Sequence, residues 1–355
     1  MSNPTPSSHT NNFDALRLFA ALLVVFGHAF TLTGEAGPSF AGNGVATIGV
    51  KIFFVVSGYL VAASWARDPD FGRYMQRRLL RIMPAMIAVV LLTVFVLGPE
   101  MTNLSLAQYF SHPETLAYLG NLLFHYAFAL PGVLAGNQPP VEVNGSLWSL
   151  PAEFSMYLLL PALVWFCAKA GGKQLFAAIA LLFALTSPVL VRALPGIDDT
   201  LIYGTRAWAW MSVTPFFLLG ACYALCGWQR FLDARIAALF LLALAASHAA
   251  PLIEEWLLLA ALPYIVLAFG CASAKGLKGA TRFGDLSYGI FLYAYPIQQV
   301  LVTAKLPGGA WLNFAMAAPI AAICAFASWH LVEKRALAFK PGTAIDTPMT
   351  VQPAE

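Results

Sequence analysis

An arginine and a histidine stand 11 residues apart in the apolar stretch FDALRLFAALLVVFGH, at Arg17 and His28. At about 100° per residue the two project from one helix face, separated by roughly 16 Å along the axis. A guanidinium can hold an anionic group, and an imidazole can take up or give a proton near neutral pH. An ionisable group inside a bilayer costs roughly 2.5–3.5 kcal/mol on insertion scales, which makes each a candidate for function. The plainer uses are a flank charge reaching the membrane surface for Arg17 and an interhelical hydrogen bond for His28. Asp14, three residues before Arg17, can pair with it on the same face.

A carboxylate follows in NGSLWSLPAEFSMYLLLP, where Glu153 falls about two turns inside a further apolar run, past Pro151. With His28 it would form a proton-handling pair, the carboxylate orienting the ring; alone it would be a solvated loop-edge residue. Arg73, Arg77, Arg78 and Arg81 fall within nine residues ahead of Pro84. Four guanidiniums at helical spacing suit either a polyanionic ligand or an anchor on anionic lipid. Lys51, at the outer end of the second apolar run, either meets an anionic group or reaches to the interface. Ser57-Gly58 in that run suits close helix packing. Five cysteines lie in or beside apolar runs without metal-like spacing and read as packing residues.

The elements that must position these groups are membrane helices. Hydrophobic residues make up 59% of the 355, charged residues only 10%, and mean hydropathy is +0.72. Soluble domains carry about 25% charged residues, so this chain cannot coat a water-soluble globule but can coat a lipid-facing bundle. A span needs about 20 mostly apolar residues. Ten segments qualify: 14–33, 45–65, 82–99, 147–168, 174–194, 207–227, 232–250, 253–273, 284–304 and 310–332. The fold expected is an all-α polytopic membrane protein, ten helices in one bundle, with a short interfacial or re-entrant helix at 115–130 in the outer loop 99–146. Residues 1–13 are polar without Lys or Arg, unlike a signal peptide; they and the tail 341–355 are expected to be disordered and cytoplasmic, flanking one domain at 14–340. If the ten helices alternate from a cytoplasmic N-terminus, 16 of the 20 basic residues fall inside, as the positive-inside rule predicts. The net charge of +3 is no nucleic-acid signal.

Together these residues resemble the membrane-bound acyltransferase-3 family. The matching motifs are D-x-x-R through His28; F-F-x-x-S-G-Y-L at Phe53 to Leu60; R-x-x-R at Arg78 and Arg81; S-L-W-S-L-x-x-E ending at Glu153, with Y-L-L-x-P from Tyr157; L-S-Y-G-I-F-L at Leu286 to Leu292; and S-W-x-L-V-E-K at Ser328 to Lys334. Two positions depart from the family's habit: Ala294 stands where many members have a His, and Lys51 where many have an acid. Some members carry a fused esterase-like domain; this chain resembles the stand-alone type and is expected to act as one.

The resemblance implies a multi-pass enzyme of the bacterial inner membrane, both termini cytoplasmic, that O-acylates a surface glycan from acyl-CoA, usually acetyl-CoA, without a metal. Catalysis would fall to His28, Arg17 and Glu153, with Arg17 steering phosphate or polarising the thioester, His28 acting as general base or acyl carrier, and Glu153 orienting His28 or holding the acceptor. Arg73, Arg77, Arg78 and Arg81 would bind the CoA phosphates. Lys51, Trp148 and Tyr157 would meet the acceptor. Membrane lipids, the glycan and its synthesis or export machinery are the expected partners. A transporter or flippase of a lipid-linked sugar, or a scaffold for an export complex, are the rival readings. The lack of visible inverted repeats weighs against transport.

Overall fold

The computed structural model describes residues 12–137, 142–194, 196–197, 199–247, 251–272, 282–305 and 307–342. Helices α1 (Phe13–Thr33), α2 (Val45–Arg67) and α3 (Phe71–Leu92) come first, and α3 runs through a π-helical turn at Thr93–Leu97 into α4 (Gly98–Met101). Two short helices, α5 (Leu106–Ser111) and α6 (Pro113–Tyr118), precede α7 (Ser149–Ala170), α8 (Gly172–Ala193), α9 (Ala207–Leu225) and α10 (Ala234–Ala246). The chain ends with α11 (Pro251–Cys271), α12 (Ser287–Thr303), α13 (Gly309–Ser328), a second π-helical turn at Trp329–Glu333 and α14 (Lys334–Leu337).

Each of the ten expected segments carries a helix, and among the described residues eight are long and apolar enough to cross a membrane. The other two are shorter: α10 has 13 residues and α12 has 17. Large apolar side chains such as Leu182, Leu239 and Ile323 stand 63%, 65% and 70% exposed on the outside of the bundle, an arrangement suited to lipid. Among the described residues, proline lies inside seven of the helices, including Pro84 in α3 and Pro296 in α12.

Three boundaries differ from expectation. The third helix starts at Phe71 rather than at 82, because the Asp70 side chain accepts from the Arg73 N–H and caps it. The arginine cluster therefore lies on helix, as its spacing predicts, though outside the expected span; its charges hide that stretch from a hydropathy reading. The expected helix at 115–130 reaches only Tyr118 in α6 plus a 3₁₀ turn at Leu119–Leu123, and Phe124 then turns the chain at φ 59°. Asn12 and Phe13, expected to be loose, are buried, and the Asn12 backbone and side chain donate to the Gly270 and Phe269 carbonyls. The remaining expected disorder, at 1–11 and 343–355, lies outside the described residues.

Two hairpins also form that composition did not suggest: β1 (Ser39–Phe40) with β2 (Asn43–Gly44), and β3 (Leu201–Ile202) with β4 (Thr205–Arg206). Each turns on a two-residue pair at positive φ, Ala41-Gly42 and Tyr203-Gly204, the twist that favours tight hairpins.

The centre of the bundle is α2, wedged between α1 and α9. Glycines permit the approach: a Cβ at Gly58 would land on the Phe217 carbonyl of α9, and one at Gly220 on the Val55 carbonyl of α2. Gly58→Ala must push two backbones apart, and we expect it to lower stability by about 1–3 kcal/mol. Thermal unfolding of detergent-solubilised protein measures this; an unshifted midpoint would mean the crossing is looser than described.

Candidate active site

Positioned by α1, α2, α3, α7 and the start of α12, one cavity of about 550 Å³ opens into the bundle. Its wall carries six basic side chains, Arg17, Arg67, Arg77, Arg78, Arg81 and Lys340, against the carboxylates of Asp285 and Glu153. Pro341 and Gly342, where the expected loose tail begins, also line it. The three arginines of α3, Arg77, Arg78 and Arg81, point inward because α3 turns that face to the bundle. Arg73, one turn earlier, does not line the cavity: it grips Asp68 with Nε and Nη2, and its side chain is 41% exposed.

Asp68 organises this entrance. It is buried and also accepts from Arg77 Nη1 at 2.8 Å. Hydrogen bonds from Arg73 and Arg77 hold its carboxyl well below the usual carboxylate range. Deeper in, Asp285 Oδ2 accepts from Arg81 Nη2 at 2.6 Å and lies 3.5 Å from Arg17 Nη1, while Arg17 also bonds Asp14 at 3.0 Å. Burial works against ionisation of Asp285, but Arg81 and Arg17 outweigh it and keep the carboxyl below its ordinary value. Even so, Nε and Nη2 of Arg77 and Nε of Arg78 are buried donors without an acceptor among the described residues. Buried donors of this kind, in a wall with excess positive charge, fit a ligand bearing phosphate oxygens. Among the described residues no cluster of three His, Cys, Asp or Glu side chains is placed to hold a metal.

The far end of the cavity is closed by Glu153. Its Oε1 accepts from Ser57 Oγ at 2.6 Å and from the Tyr157 hydroxyl, and Ser57 Oγ and the Tyr157 hydroxyl are 3.0 Å apart. The expected pairing of Glu153 with His28 is not what forms. Glu153 lies toward the arginines, and its partners come from α2 and from its own helix. Phe53, Glu153 and Tyr288 line both this end and a narrow space of about 40 Å³ that continues past Ser149, Leu150 and Phe291. Ser57, Asp68 and Asp285 belong to the site but were not singled out from sequence for chemistry.

His28 does not line the cationic cavity. Its ring packs edge-to-face on Tyr295 of α12, centroids 5.0 Å apart, and Tyr295 donates to Glu142 Oε2 at 3.4 Å. Arg17 beside Asp285 and His28 beside Tyr295 both face the chain that forms α12, as their spacing predicts. They lie at different levels, and the structure does not join them in one open passage. Trp148, with Glu142, Tyr126, Arg206 and Trp208, lines a separate cavity of about 200 Å³.

Lys51 stands inside the bundle, not at the acceptor-facing surface expected from sequence. Its side chain is 1% exposed, and its ammonium binds Glu255 Oε1 at 2.7 Å and Asn43 Oδ1 at 2.9 Å, 4.9 Å above the Phe216 ring. With its charge taken up inside the protein it has no free face for an acceptor.

Residues 10–331 match the Acyl_transf_3 family, described as an acyltransferase domain. The chain is 29% identical over 334 residues to an O-acetyl transferase of Shigella phage Sf6, covering 92% of this chain and 96% of that one. It is 29% identical over 369 residues to Nodulation protein 10 of Rhizobium leguminosarum bv. viciae, covering 95% of each. It is also 29% identical to the peptidoglycan O-acetyltransferase OatA of Listeria monocytogenes, over 57% of this chain and 32% of that protein. No solved structure matches the chain.

Proposed function

The chain belongs to the acyltransferase-3 family, and from that premise we propose that it moves an acyl group, acetyl in the simplest case, from acyl-CoA to a hydroxyl of a surface or exported glycan. It is a multi-pass membrane acyltransferase; the donor, the acceptor and the orientation are our reading. The observation that carries it is the cavity whose wall holds six basic side chains and ends at Ser57, Glu153 and Tyr157. Arg77, Arg78 and Arg81 would take the donor's phosphates, and Arg17, beside Asp285, would flank the pantetheine arm on its way in. The distribution of 16 of the 20 basic residues to one side supports a cytoplasmic mouth, cytoplasmic termini and a bacterial inner membrane. Membrane lipids and the glycan's own synthesis or export machinery are the partners this reading calls for.

In the transfer, the acceptor oxygen bonds the acyl carbon, the carbon–sulfur bond breaks and the hydroxyl proton passes to His28. In the alternative order, His28 nitrogen takes the acyl group first and the acceptor hydroxyl then displaces it; the thiolate is protonated in either case. The pantetheine arm must carry the thioester past Glu153 toward His28, roughly 16 Å from Arg17 along α1.

Purified protein in vesicles with labelled acetyl-CoA tests the proposal, because a transporter or a scaffold would leave the label unconsumed. Arg78→Ala and Arg81→Ala are each expected to weaken CoA binding by roughly 10- to 100-fold, the worth of one charge-assisted contact of about 1.5–3 kcal/mol. Rising salt should weaken wild-type binding further. If CoA binds both variants as it binds the wild type, the cluster only anchors the protein to its membrane.

A further inference from the structure

We propose that the cavity lined by Tyr126, Phe128, Glu142 and Trp148 against the β3–β4 hairpin seats one uncharged sugar ring of the acceptor, with Glu142 as the residue that positions its hydroxyls. This rests on the acyl-transfer reading above and names the part of the glycan that the protein holds.

The cavity measures about 200 Å³, below the roughly 300–1,000 Å³ of drug-sized ligand sites, so it suits a single ring. Four aromatic side chains, Tyr126, Phe128, Trp148 and Trp208, share its wall with Glu142 and Arg206. A pyranose has apolar C–H faces and a hydroxyl-bearing rim. Aromatic faces can cover the former, while a carboxylate and a guanidinium can bond the latter. The two charges also offset each other. Burial pushes the Glu142 carboxyl up, whereas Tyr295 and Arg206 favour its ionised form. A uronic acid or an amino sugar would bring a charge that this wall has nothing spare to match.

The wall is built rather than incidental. Gln299 Nε2 donates to the Glu142 carbonyl at 2.7 Å, the Val143 N–H to the Phe128 carbonyl at 2.9 Å, and Thr205 Oγ1 to the Trp148 carbonyl at 3.0 Å. A Cβ at Gly145 would strike both the Glu142 carboxylate and the Tyr295 ring, so only glycine lets this backbone come so close. Tyr295 then joins the cavity to His28, donating to Glu142 on one side and packing on the imidazole on the other. Trp148 also leads directly into α7, five residues before Glu153. The sugar cavity is thus tied to His28 through Tyr295 and to the arginine-lined cavity through the chain from Trp148 to Glu153.

The test uses purified protein in phospholipid vesicles, labelled acetyl-CoA and a panel of free methyl glycosides. The panel holds neutral hexosides and deoxyhexosides, the matching uronosides and 2-amino glycosides. At least one neutral glycoside should be acetylated, with charged counterparts far poorer. Trp208→Ala and Glu142→Gln should each raise the KM for that glycoside about tenfold while the Kd for CoA holds. Trp208→Phe should restore most of the loss; at 40% exposure Trp208 is not a folding residue. The proposal falls if neither variant moves the acceptor KM, if charged glycosides are preferred, or if no neutral glycoside is acetylated by a protein that still consumes acetyl-CoA. A wild type that neither binds CoA nor consumes the label would instead bring down the acyl-transfer reading, and the sugar site with it.

Discussion

Replacing His28 by alanine is expected to lower acyl transfer by roughly 10²–10⁴-fold, the usual contribution of a positioned general base. CoA binding should survive, because the ring stands outside the cationic cavity and touches Tyr295 rather than any of the arginines. The edge-to-face contact itself is worth only about 0.5–1.5 kcal/mol, so the variant should fold and reach the membrane. The signature is a collapse in kcat with an unaltered Kd for CoA. Transfer at the wild-type rate in His28→Ala would remove the imidazole from the chemistry, whether as base or as acyl carrier, and leave Glu153 as the next candidate.

Lys51→Ala should act in the opposite way, on the fold and not on the acceptor. The ammonium bridges three pieces of the protein: Asn43 of the first hairpin, Glu255 of α11 and the Phe216 ring of α9. Truncating one partner of a buried ion pair leaves the other charge uncompensated, a loss of about 3–5 kcal/mol. Thermal unfolding in detergent should show it. The double variant Lys51→Ala/Glu255→Ala should recover part of the loss, since the stranded carboxylate goes too. A Lys51→Ala protein with wild-type stability and a raised acceptor KM would reverse this reading and return Lys51 to the acceptor side.

Much of the architecture was legible from local pattern. Runs of about 20 apolar residues and the scarcity of charge state a membrane bundle, because lipid compatibility depends on composition over a single helix length. The shared face of Arg17 and His28 follows from helical repeat alone. The start of α3 was written in Asp70, a cap that a reading by hydropathy passes over. The π-helical turn at Thr93–Leu97 had no such signal: Tyr109 of α5 steadies it by donating to the Val94 carbonyl at 2.9 Å.

What each charged group would do was decided elsewhere. Arg17 and Arg81 meet at Asp285, which is 268 positions from the first and 204 from the second. Lys51 finds Glu255 across 204 positions, Glu153 finds Ser57 across 96, and His28 is left beside Tyr295 instead of Glu153. Helix period and hydropathy are properties of a segment and can be read from it. Which buried charge faces which partner depends on how helices far apart in sequence cross, and at α2 that crossing is set by Gly58 against Phe217 and Gly220 against Val55. The sequence alone therefore determined a membrane bundle and the candidate chemical groups. Only tertiary packing decided that the arginines share one cavity, that Lys51 is locked away, and that His28 stands beside Tyr295 instead of Glu153.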